Sequence, residues 1–71
     1  MTIREVKEEI GARGLREHHT SYVKGYTSRK ADKDGNYGYG YFYNGRFGKG
    51  IAVISPNWCS TQYSLITYYV A

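Results

Sequence analysis

A chain of 71 residues with a net charge of +4 and a single cysteine has room for one domain and little more. Cys59 alone closes no internal disulfide, and no Cys/His cluster offers a structural metal, so packing or self-association must hold so small a core. Met1-Thr2-Ile3-Arg4-Glu5 lacks the apolar run of a signal peptide and an unpaired cysteine suits a reducing compartment, so a cytoplasmic protein without membrane attachment is expected.

The first element is a helix over residues 3–13. Thr2 followed three residues later by Glu5 is a capping box. Ile3, Val6 and Ile10 share one helical face. Glu5, Glu8 and Glu9 come early and Arg13 late, as the helix dipole favours, and Glu9 and Arg13 are spaced to pair. Gly14 suits a left-handed stop, with Ile10 and Leu15 as the apolar contact that accompanies it.

Strand-like segments follow. The first covers about residues 21–28 and ends before Asp32-Lys33-Asp34-Gly35-Asn36, a turn by composition. The second covers residues 37–43. Asn44-Gly45 then gives the strongest short hairpin signal. The third strand is expected at about 46–54, the turn at Ser55-Pro56-Asn57, and the fourth strand at about 61–70. Residues 50–71 carry no Asp, Glu, Lys or Arg, but Pro56 and the polar residues around it divide them into two strands rather than one membrane span. The pattern predicts one α+β domain over residues 1–71. A single N-terminal helix packs on a three- or four-stranded antiparallel sheet, run as a meander.

A two-residue loop at Asn44-Gly45 pairs Tyr43 with Arg46, Tyr41 with Gly48, Tyr39 with Gly50 and Tyr37 with Ala52. Because side chains alternate, Tyr37, Tyr39, Tyr41 and Tyr43 share one face, with rings covering cross-strand glycines. Phe42, Phe47, Ile51 and Val53 share the other, the expected seat of the helix. The tyrosine face is then expected to point to solvent.

Residues 20–49 hold the whole charge excess: Lys24, Arg29, Lys30, Lys33, Arg46 and Lys49 against Asp32 and Asp34. A row of rings among cations suits single-stranded nucleic acid, since every base has a face that lies on a ring and every phosphate attracts a cation. Gly38-Tyr39-Gly40-Tyr41-Phe42 resembles the core of the RNP1 motif of RRM and cold-shock domains. That resemblance implies Tyr39 and Tyr41 as base-stacking rings. It spans five residues and stays local: Tyr37 stands where the motif has Lys or Arg, and the chain is too short for the RRM order of elements. The candidate site is therefore Tyr37, Tyr39, Tyr41, Tyr43 and Arg46 with Arg29, Lys30 and Lys33. The competing reading is a protein-interaction or inhibitor module, or a self-associating subunit, using the same face or the uncharged fourth strand as an open edge.

Other motifs carry less. Asp32-Lys33-Asp34-Gly35-Asn36 begins like an EF-hand loop, but Tyr37 and Tyr43 replace its glycine and its bidentate glutamate. His18-His19 lacks a third ligand, which makes the pair surface residues. Cys59 beside Trp58 reads as a small buried hydrophobe. The spacing of Gly48 and Gly50 is not that of a phosphate loop. No acid/base pair stands out, so neither enzyme activity nor a cofactor is expected.

Overall fold

The computed structural model describes residues 1–25, 37–56 and 62–71. They form an α+β arrangement of α1 (Ile3–Arg13), β1 (Arg16–Lys24), β2 (Tyr39–Gly45), β3 (Gly48–Pro56) and β4 (Tyr63–Val70). The four strands make one antiparallel sheet in the order β1-β4-β3-β2.

Helix α1 begins and ends as its sequence predicts. The Thr2 hydroxyl accepts from the Glu5 amide at 3.2 Å, and the Glu5 carboxylate accepts from the Thr2 amide at 3.4 Å. The Thr2 hydroxyl also donates to that carboxylate at 3.0 Å. These bonds hold the Glu5 carboxyl below the usual carboxylate range. At the far end Gly14 adopts φ 64°, its amide donating to the Gly11 carbonyl at 3.3 Å and the Leu15 amide to that of Ile10 at 3.0 Å. This is a Schellman stop, which Gly14 adopts without a Cβ penalty. Arg13 pairs with Glu9 at 2.8 Å.

Strand β1 starts at Arg16, well before the expected residue 21, and stops at Gly25 with φ 98°. Its first residues are polar, as suits a strand that is paired on one side only among the described residues. β2, β3 and β4 run as a meander. β1 joins beyond them beside β4, giving a Greek-key order read in reverse. The uncharged β4 is therefore internal, not the open edge expected of it. Charged β1 takes the edge, where its side chains stay hydrated.

The β2–β3 hairpin does not turn at Asn44-Gly45. Strand β2 runs through both residues, and Arg46 and Phe47 form the loop. Tyr43 faces Gly50, Tyr41 faces Ala52 and Tyr39 faces Ile54. Neither Asn44 nor Gly45 has positive φ; Gly48, at φ 108°, supplies it after the loop. The positive-φ residue thus follows the turn instead of lying within it, as in hairpins that close with a turn and a trailing glycine. This arrangement leaves Phe47 at the tip, its amide donating to the Tyr43 hydroxyl at 3.4 Å. The displacement is by an even number of residues, so paired side chains keep their expected faces while their partners change.

Helix α1 lies on the expected face. Ile3 and Val6 are buried, and Val6 seats directly on Gly40, where any Cβ would overlap it. The opposite face is not simply open to water. Ala52, Ile54 and Ile66 form a buried cluster there, with Val23, Tyr43 and Tyr68 packed against it. Ile51 and Ala52 are consecutive, point to opposite faces and are both fully buried, so the sheet centre is covered on both sides. Outside β2, the Met1 carbonyl accepts from the Gly40 amide at 3.1 Å and the Met1 ammonium donates to the Gly40 carbonyl at 3.0 Å. Thr2 bridges to Tyr39 beside them.

Candidate nucleic-acid interface

The tyrosine row is shorter than its spacing suggests. Tyr37 lies outside β2, and Gly38, at φ 116°, redirects the chain between them. A side chain at Gly38 would meet the Ile54 carbonyl at 2.6 Å and Ile3 Cδ1 at 2.9 Å. Beyond this turn Tyr37 lines a groove of about 310 Å³ on the helix side, with Ile3, Val6, Lys7, Val53 and Tyr69. It is not beside the other three rings. Burial pushes the Tyr69 phenol above its ordinary pKa, and the Glu17 carboxylate paired with it in register adds to the shift.

Tyr39, Tyr41 and Tyr43 do share one face. Tyr39 and Tyr41 are 37% and 39% exposed, whereas Tyr43 is half-buried. Its ring packs against Tyr68 at 4.7 Å between centroids. Its hydroxyl also lies over Gly45, only 2.9 Å from where a Cβ would stand, so that glycine makes room for the ring.

Phe47 sits at the centre of a ring cluster that its expected place on the helix face would not have produced. Its centroid is 4.9 Å from those of Tyr68 and His19, 5.2 Å from His18 and 6.4 Å from Tyr43. Both histidines reach it because β1 bulges between Glu17 and His19, leaving His18 as the extra residue. His19 also stacks with Tyr68 at 6.3 Å. The histidines are exposed, as expected, but as part of a ring surface. Their doubled occurrence was the only sign of this in the sequence, since the bulge that aims them depends on pairing with β4.

Arg46 precedes Phe47 in the loop, its guanidinium 5.5 Å from the Phe47 ring centre. Arg29, Lys30 and Lys33 lie outside the described residues, as do the Asp32–Asn36 turn, Trp58 and Cys59. Tyr39 and Tyr41 thus share a sheet face with Tyr43, which joins a ring cluster of Phe47, Tyr68, His18 and His19 with Arg46 beside Phe47. On the opposite face Phe42 is 60% exposed, with the Arg13 guanidinium 4.7 Å from its ring centre. Lys49 lines the same hollow as Arg13 and Phe42.

Among the described residues, no three His, Cys, Asp or Glu side chains gather as metal ligands would, and no helix is long and apolar enough to cross a membrane. No family model, curated protein or solved structure matches the chain.

Proposed function

We propose that this protein is a small basic module that binds single-stranded nucleic acid on the face of Tyr39 and Tyr41. What supports the reading is one observation: two partly exposed rings, two residues apart on one strand, lead into the Tyr43–Phe47–Tyr68 cluster and end at Arg46. Alternate residues of a strand lie about 7 Å apart, a spacing that an unstacked strand of bases can follow. The rings supply sequence-tolerant contact, and the cationic excess supplies attraction that weakens with salt.

Fluorescence anisotropy with labelled single- and double-stranded oligonucleotides, at low and moderate salt, tests this. The single strand should bind more tightly, and binding should fall as salt rises. Replacing both rings, Tyr39→Ala with Tyr41→Ala, should weaken it more than about tenfold, since each stacked base contributes about 1–3 kcal/mol. Phenylalanine at both positions should preserve it, because stacking needs the ring and not the hydroxyl. Phe42→Ala, on the other face, should leave it unchanged. Absence of binding at low salt would reject the reading.

A further inference from the structure

Among the described residues, strand β1 has one edge without a partner strand, and its charges have an internal symmetry. It pairs only with β4 among the described residues. Its charged side chains are Arg16 and Glu17 at one end and Lys24 at the other, all exposed. In a regular strand, residues 17 and 24 would point to opposite faces, since an odd number of steps separates them. The bulge at His18 adds one residue and reverses that. Glu17 opposes Tyr69 and Lys24 opposes Tyr63, two residues of odd number on β4, so Glu17 and Lys24 share a face. Thr20 and Tyr22 lie between them on the same face. The Thr20 hydroxyl donates to the Glu17 carboxylate at 3.1 Å and accepts from Thr67, which steadies the acid.

Charges on an edge strand usually deter pairing. Here they favour one arrangement. Two antiparallel copies of β1 related by a two-fold axis through Ser21 place Ser21 opposite Ser21 and Tyr22 opposite Thr20. Val23 then faces His19, and with His18 the extra residue towards the second copy as it is towards β4, Lys24 of each copy faces Glu17 of the other. All these pairs are same-face pairs, as a two-fold axis perpendicular to the sheet requires. The arrangement makes two Glu–Lys pairs and spreads the Tyr22 ring, 67% exposed in the single chain, over the second copy. A parallel pairing would instead set Lys24 beside Lys24 and Glu17 beside Glu17.

We propose that β1 is a self-complementary edge through which two copies of this chain join antiparallel into one eight-stranded sheet, with Glu17 of each opposite Lys24 of the other. The edge lies at the opposite end of the strand order from Tyr39 and Tyr41 and meets the ring surface only at His18 and His19, and the proposal does not depend on nucleic-acid binding.

Sedimentation analysis of the full chain over a wide concentration range should show a monomer–dimer equilibrium. Glu17→Lys or Lys24→Glu alone should weaken the dimer about tenfold or more by opposing like charges, and the two together should restore it. Ser21→Cys supplies a second readout that keeps the native charges. Directly opposite Cα atoms are about 4.5–5.5 Å apart, within disulfide range. With diamide as oxidant, the two introduced thiols should form a symmetric disulfide, located by peptide mapping and distinguished from any bridge through Cys59. A monomer at every concentration would overturn the proposal. So would a dimer that the paired charge exchange fails to restore, or a Ser21→Cys variant that forms no symmetric bridge.

Discussion

Single residues decide how closely the layers of this small protein approach, and glycine does so in two opposite ways. Gly50 has ordinary φ, so its value is space: a Cβ there would overlap the Tyr69 carbonyl, and neither main chain can yield. Gly11 lies inside α1 with nothing within 4 Å of an added Cβ. Gly50→Ala should therefore destabilise the fold by about 1–3 kcal/mol through overpacking. Gly11→Ala should stabilise it by about 0.5–1 kcal/mol through lower chain entropy and better helix propensity. Urea denaturation of the two variants checks both signs. The sequence does not separate these glycines, because the difference lies in what β4 brings next to Gly50.

Among the elements, α1 was legible to the residue because its signals are local. Thr2, Glu5, Gly14 and Leu15 act within a few positions of one another, and no distant strand competes with them. The hairpin was not legible in the same way. Asn44-Gly45 states a local preference, and the aromatic packing won at the tip by Phe47 outweighs it. The helix start also predicts a pH dependence. Hydrogen bonds from Thr2 lower the Glu5 pKa, so their stabilisation is fully present above the ordinary glutamate range and is lost as pH falls through the depressed value. An NMR titration should place the Glu5 midpoint below that in a Thr2→Ala variant. That substitution should also weaken the helix by about 1 kcal/mol at neutral pH.

For the molecule as a whole, the α+β arrangement followed from the order of a helix pattern and strand patterns, and the face taken by α1 followed from alternation. The sheet order did not, because nothing local in residues 16–20 announces a partner in β4. The candidate surface was half legible: Tyr39, Tyr41 and Tyr43 were found by period, while Phe47, Tyr68 and the histidines come together only through the bulge and the displaced turn. Phe47 links strands that are not neighbours, joining the β2–β3 tip to β1 across Tyr68. Phe47→Ala should lower global stability by about 2 kcal/mol, less than for a fully enclosed ring because Phe47 is only half-buried. Amide exchange in the first half of β1 should accelerate more than in β4, which retains two paired neighbours.

The main-chain bonds between Met1 and Gly40 give the sheet two unlike ends. Along β2, a strand arriving from solvent finds the positions beside Tyr39 and Gly40 already taken by residues 1 and 2 and, among the described residues, 41–45 left to engage. Lateral growth is thereby blunted on that side. Two copies joined at β1 would turn these occupied ends outward, so association would terminate as a closed pair instead of propagating into a fibril.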